Sequence, residues 1–247
     1  MLYASVNSVY QLVMRQAAKD ERGFGSPSDL NYFFQQAEQE EFQSILMEYS
    51  IIRNKQQRYN TFRKRNYNSL QSIQDDLAPL FIPRGNLTSS TANNIFDKPN
   101  DYAYYIDIEY NGINLPIVDV SKRGFYNNAF DAAPNLANPI AIFGDTTIEV
   151  LPSAITSDVK LSYYKVPQGV SASTGQRVSS QPTWAYNVVS GNSIYNASNS
   201  VDFELPKHLE YRLAARVLNM MGIEIRDVDL YQMAKAEETQ NIQEATS

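Results

Sequence analysis

A chain of 247 residues with no cysteine, one histidine and one tryptophan excludes disulfide scaffolds, thiol nucleophiles, thiolate metal sites and any site needing two imidazoles. Its 21 basic against 27 acidic residues leave a formal charge of −6, the wrong sign for gripping nucleic acid by neutralising phosphates. A hydrophobic share of 43% with 19% charged residues describes a folded protein, and the composition as a whole weighs against an enzyme.

No run approaches the ~20 apolar residues of a membrane span. The opening MLYASVNSVYQLVMRQ has neither the basic n-region nor the apolar h-region of a signal peptide. Within it, Val6, Val9, Tyr10, Val13, Met14 and Ala17 fall at spacings of three and four, the signature of one helical face. The pattern ends at Lys19-Asp20-Glu21-Arg22, and Gly23-Phe24-Gly25 supplies a turn. Ser26 is placed to cap a second helix, with Pro27 at its first position and Asp29 at the positive end of its dipole. That helix carries Leu30, Phe33, Phe34, Ala37, Phe42, Ile45, Leu46, Tyr49 and Ile52, with no Pro or Gly to stop it there. A third amphipathic segment holds Leu70, Ile73, Leu77 and Leu80 and ends before a turn at Pro83-Arg84-Gly85-Asn86.

The period then changes. Residues 86–100 read as loop, and 102–110 alternate, with Tyr104, Ile106, Ile108 and Tyr110 on one face and Tyr105, Asp107 and Glu109 on the other. Asn111-Gly112 is a strong hairpin signal, with 113–120 as the returning strand. Further short strands are expected at 140–143, 147–151 and 159–166. The Gly- and Ser-rich stretch 167–180 reads as a long loop, mobile or ordered only by a partner. Helix returns after Leu205-Pro206 with Leu209, Leu213, Val217, Leu218 and Met221, and Gly222 stands at its C-cap. Asp227 can cap a last helix through Leu230, Met233 and Ala234, and past Glu237 the apolar face is lost. The expected fold is α+β: a helical bundle built from the N- and C-terminal segments with an antiparallel β-sandwich or barrel-like insertion. The expected divisions are 1–85 helical, 86–203 β-rich and 204–247 helical with a flexible tail.

Candidate chemistry is sparse. His208 has no second histidine or serine elbow to work with, which points to a surface or packing role. Asp107 and Glu109 share a strand face and form a conceivable acid/base pair, although alternating acids usually mark a solvated face. A basic run contains Arg53, Lys55, Arg58, Arg63, Lys64 and Arg65, with no acid between Ile51 and Tyr67. It fits contact with a nucleic-acid backbone or an acidic protein surface, or a solvated helix face. Trp184, beside the flexible loop, is either a core plug or an anchor in a partner's pocket; the reading favours the anchor.

Three segments carry a family resemblance. They are AAKDERGFGSPSDLNYFFQQAEQEEFQ, then YYKVP followed by PTWAYNVVSGNSIYN, then SVDFELPKHLEYRLAARVLNMMGIEIRDVDLYQMAKAEETQN. In this order they resemble neck and tail-ring structural proteins of tailed bacteriophages of the crAss-like type and related marine phages. Asp20 and the displaced His208 depart from the family pattern, and neither touches any chemistry. The resemblance implies a virion protein with no cofactor and no membrane contact, made in the host cytoplasm. It implies a homo-oligomeric ring, twelve-fold by analogy, joining portal to tail around a channel through which DNA passes without sequence-specific binding. Adjacent portal, tail or ring proteins would be its neighbours, and a strip from Arg53 to Arg65 would meet acids such as Glu237 and Glu238 of a neighbour. The competing readings are a monomeric carbohydrate-binding β domain with helical flanks, motivated by Tyr and Trp184, and last a hydrolase using Asp107 and Glu109.

Overall fold

A computed structural model describes residues 3–19, 27–59, 64–89, 94–128, 133–190 and 192–222. The fold is α+β, with five α-helices and four sheets among the described residues. Two compact units divide it: Met1–Leu80 with Pro167–Ser247, and Phe81–Val166.

The first unit is built on helices. Helix α1 (Val6–Lys19) buries Val6, Val9, Val13 and Ala17, the stripe that its spacing marks. Helix α2 (Pro27–Tyr59) buries Leu30, Phe34, Ala37, Phe42, Ile45, Tyr49 and Ile52, and α3 (Lys64–Leu77) packs against it. Near the C-terminus, α5 (Glu210–Met220) packs on both α1 and α2 with Leu213, Ala214, Val217 and Leu218 buried. Beyond its end, Gly222 adopts φ +66, the left-handed conformation that glycine enters without a Cβ penalty. The last helix expected from Asp227 lies outside the described residues.

Polar bonds tie these distant segments together. Glu41, fully buried on α2, sits between two arginines of α5: Arg212 Nε is 2.7 Å from Oε1 and Arg216 Nε 2.5 Å from Oε2. One turn earlier, Glu38 Oε1 accepts from the backbone N–H of Glu204 at 2.7 Å. Glu204 in turn pairs with Arg177 Nε at 2.9 Å and accepts from the N–H of Gln168 at 3.1 Å. The first turn of α1 has N–H groups with no partner inside the helix. Asp202 accepts from Val6 N at 2.8 Å, and Glu210 accepts from Ser5 N at 2.9 Å just ahead of the helix.

Residues after Pro167 belong to this helical unit, although the sequence reading groups them with the β insertion. The stretch read as a long loop folds into β9 (Gly169–Ser171) and β10 (Arg177–Val178), which join β13 (Val201–Asp202) in the order β10-β9-β13. Glycine is required at 169 because a Cβ there would lie 2.4 Å from Val201 Cγ1 and 2.5 Å from the Ser180 carbonyl. That segment is ordered by its own chain, not by a partner.

The second unit is a two-sheet sandwich. One sheet runs β1 (Phe81–Asn86), β8 (Val159–Lys165), β3 (Tyr102–Tyr110), β4 (Ile113–Asn114). The other runs β2 (Ile95–Asp97), β7 (Thr147–Leu151), β6 (Ile140–Phe143), β5 (Ile117–Val118). Ile108, Val159, Leu161 and Tyr163 from the first meet Phe96, Ala141, Ile148 and Val150 from the second in one core. Helix α4 (Arg123–Asn128) places Tyr126 against Ile140, Ile142 and Leu151 on the back of the second sheet. Neither sheet closes on itself, so the insertion is a sandwich and not a barrel.

Four local expectations change. Within the stretch 86–100, read as loop, residues 95–97 form β2 against β7. Pro83-Arg84-Gly85-Asn86 is not a turn but part of edge strand β1, where a bulge between Ile82 and Gly85 absorbs Pro83 and the left-handed Arg84. The strand expected over 113–120 is split: β4 pairs with β3, and β5 crosses to the second sheet and runs parallel to β6. In β3, two register shifts reverse the expected faces at its start. Tyr105 joins Ile108 and Tyr110 against the core, and Tyr104 stands opposite Tyr164. The Asn111-Gly112 turn forms as expected, with φ +48 and +79.

Glu41→Ala leaves Arg212 and Arg216 facing each other beside a buried gap. It is expected to cost about 3–5 kcal/mol of unfolding free energy, and Glu41→Gln less, in urea titrations followed by circular dichroism.

Candidate interaction surface

Trp184 is the hinge point of the surface features. It is only 4% exposed and stacks on Tyr10 at 3.8 Å between ring centroids and 6° between planes. Tyr186 and Tyr195 stack on it at 5.5 and 6.1 Å. Its indole Nε1 donates to Asn7 Oδ1 of α1 at 3.2 Å, its backbone N–H donates to Asn31 Oδ1 of α2 at 2.7 Å, and Asn31 Nδ2 donates to its carbonyl at 3.3 Å. The expected anchor in a partner's pocket is therefore corrected. The pocket belongs to the same chain, and one asparagine from each of two helices completes it.

The ionisable groups around this nest shift as burial dictates. Tyr10 is raised by burial and then by Tyr186. Burial likewise raises Tyr195, with the Ser200 hydrogen bond pulling the other way. Asp202 is held above the ordinary aspartate range, chiefly by burial, against the lowering hydrogen bonds of Val6 and Ser5.

From this base projects a ribbon of β11 (Tyr186–Val189) and β12 (Asn192–Tyr195), paired only with each other. The register sets Tyr186 opposite Tyr195, Asn187 opposite Ile194, Val188 opposite Ser193 and Val189 opposite Asn192. Val188 and Val189 point to opposite faces, yet they are 67% and 52% exposed, so both faces of the outer part meet solvent. Ile194 is exposed as well. No charged residue and no proline occurs between Tyr186 and Tyr195. The one local sign of this hairpin in the sequence is the Ser190-Gly191 dipeptide between two short β-prone runs.

Helix α2 contributes a second surface. Between residues 30 and 54 its exposed positions are Tyr32, Gln36, Gln39, Gln43, Met47, Ile51 and Asn54, and the half-exposed Glu40 lies among them, accepting from Gln36 Nε2 at 3.2 Å. The first five follow one another at spacings of three and four, a ridge along the helix. The helix keeps Glu38 and Glu41 for its buried side. Both acids continue the Leu30, Phe34, Ala37, Ile45 stripe and so fall on the core face, where the sequence reading expects only apolar residues.

The basic run brackets the connection between α2 and α3. Arg53, Lys55 and Arg58 lie in the last two turns of α2, where the helix dipole favours cations, and Lys64 and Arg65 begin α3. Arg63, Glu237 and Glu238 lie outside the described residues. Asp107 and Glu109 do not converge on a shared partner. Asp107 is opposite Ser162, whereas Glu109 is opposite Lys160 and 3.3 Å from Arg84 Nε. His208 Nε2 lies 2.6 Å from Asp76 Oδ1, joining the turn before α5 to the end of α3. Among the described residues no group of acids and histidine is arranged to hold a metal, and no helix is long and apolar enough to cross a membrane.

Neither a protein-family model nor a curated protein matches the chain.

Trp184→Ala removes the stacking and takes the indole N–H away from Asn7 Oδ1, while Asn31 keeps its two bonds to the backbone of residue 184. It is expected to lower unfolding free energy by about 3–5 kcal/mol, with Trp184→Phe intermediate, in thermal and urea melts of the free chain.

Proposed function

We propose that this chain is a structural subunit of a ring in the head-to-tail connector or tail of a tailed bacteriophage, located in the virion, joining portal to tail around the DNA channel. One observation carries the reading. The three segments that resemble such proteins lie far apart in sequence, yet the bonds of the helical unit link them. Trp184 of the second bonds to Asn31 of the first, and Glu41 of the first bonds to Arg212 and Arg216 of the third. Parts of all three segments thus meet in the contacts of the helical unit.

The physical properties agree with this role. A ring of identical subunits needs two unlike patches that fit each other head to tail. The ribbon and the exposed face of α2 are two unlike patches on one unit. A net charge of −6 suits a wall past which DNA slides, because such a wall gives its phosphates little to bind. The carbohydrate-binding reading rests on exposed tyrosines and Trp184; Trp184 is buried, whereas Tyr32, Tyr186 and Tyr211 are exposed. Assembly by protein contacts alone requires no cofactor.

Size exclusion with light scattering tests ring formation directly, alone and with the portal protein. The basic run supplies a sharper test. Exposed ion pairs contribute roughly 0–1 kcal/mol each, so this strip sets register between stacked proteins more than strength. Replacing Arg63, Lys64 and Arg65 with Glu is expected to leave the subunit folded but to disrupt co-assembly with the adjacent portal or tail protein, with the wild-type contact weakening as salt rises. Intact assembly combined with lost DNA retention in the particle instead turns the strip toward the channel.

A further inference from the structure

We propose that Asn111, at the tip of the β3–β4 hairpin, is a self-modification site: the backbone nitrogen of Gly112 attacks its side-chain amide and converts it to aspartate and isoaspartate. The chemistry needs no partner and does not depend on the ring.

The residue pair sets the reaction up. The carboxamide carbon of an asparagine can close a five-membered ring with the backbone nitrogen of the next residue, and an attack within one molecule gains its rate from proximity. A side chain on that next residue crowds the nitrogen, and glycine has none. Asn111-Gly112 is the only Asn-Gly pair in the sequence.

The structure leaves both reacting groups open. Asn111 and Gly112 are exposed, and with φ +48 and +79 they form the two-residue tip between β3 and β4. Tyr110 and Ile113 close the ladder, so the Gly112 N–H lies outside it. Among the described residues nothing hydrogen-bonds to that N–H or to the Asn111 carboxamide. Where a Cβ of residue 112 would stand there is no atom within 4 Å.

Other asparagines followed by a small residue are restrained. Asn7 Oδ1 accepts from the Trp184 indole, and Asn7 lies in α1. Asn196 bonds through both ends of its amide, to the Ser198 N–H and to Asn187 Oδ1. After Asn199, the attacking nitrogen is occupied, because the Ser200 N–H donates to the Ala197 carbonyl. Asn192 sits within the paired strand β12.

The step is redox-neutral and consumes only water. The Gly112 nitrogen loses its proton to hydroxide and bonds to Asn111 Cγ; the Cγ–Nδ2 bond breaks, and ammonia leaves with a proton taken from water. Water then opens the cyclic imide. Breaking the new nitrogen–Cγ bond leaves aspartate, which adds one negative charge at the tip. Breaking the bond from that nitrogen to the main-chain carbonyl carbon of residue 111 leaves isoaspartate. The main chain then runs through Cβ and Cγ and is one methylene longer. A two-residue turn fixes the register of its strands and has no room for that methylene, so the Tyr110–Ile113 pair and the short β4 loosen.

The test incubates the folded full chain at mildly alkaline pH in heavy-oxygen water and follows every asparagine by peptide mapping with mass spectrometry. The peptide holding residue 111 is expected to convert several-fold faster than any other described asparagine. It is expected to take up heavy oxygen and to resolve into aspartate and isoaspartate forms. Asn111→Gln, whose extra methylene enlarges the ring, is expected to lose conversion at this position with an unchanged circular dichroism spectrum. The purified isoaspartate form is expected to exchange the Ile113 amide hydrogen faster than unmodified protein. A folded chain that stays intact at 111 while the urea-unfolded chain converts there overturns the proposal, because the turn then protects the residue. Faster conversion at another described asparagine overturns it as well.

Discussion

Glu41 between Arg212 and Arg216 is the interaction on which the helical unit depends. The two helices it joins are 175 residues apart in sequence at the Glu41–Arg216 contact, so the pairing closes a very long loop of chain. Apolar side chains on α2 and α5 would tolerate several axial offsets, since leucine and valine contacts carry little direction. A buried carboxylate with one guanidinium on each oxygen tolerates only one. Desolvating these charges is costly, and the Coulombic return roughly offsets it. Their main effect is therefore to specify the register of α2 against α5 and, through Glu38 and Glu204, of β13 against both.

The sandwich unit is held by different physics. Its core is almost wholly apolar, drawn from both sheets, with tyrosines at its margin that bury a ring and carry a polar hydroxyl at its tip. Tyr163 shows the type: its ring lies in the core and its hydroxyl donates to Asp101 Oδ1 at 3.0 Å. Burial, with Asp101 beside it, pushes that hydroxyl up to about 12. The helical unit gains its specificity from directional charge, whereas the sandwich gains its specificity from pleat and bulge.

Periodicity made most of the helical architecture readable. Val6, Val9 and Val13, like Leu30, Phe34 and Ile45, are buried where a 3.6-residue repeat requires. Strands at 140–143, 147–151 and 159–165 were legible because turn residues punctuate them. What escaped has physical causes. Pro83 argues against a strand unless the strand is an edge with a bulge, and neither condition is visible locally. The bulges of β3 shift the two-residue alternation midway, so counting places Tyr104 and Tyr105 on the wrong sides. The surroundings of Trp184 depend on Asn7 and Asn31, more than 150 residues earlier, and no local pattern announces a pocket assembled at that distance. The basic run could be found from composition, but composition does not say what it meets.

The sandwich enters and leaves its own fold through neighbouring strands. Phe81, its first residue, is paired in register with Tyr164, near its last. The two ends of an 86-residue excursion, Phe81–Val166, are thus separated by little more than the spacing of adjacent strands. A short turn can span that gap. The sandwich is in this sense a cassette, a single insertion whose entry and exit lie side by side on adjacent strands.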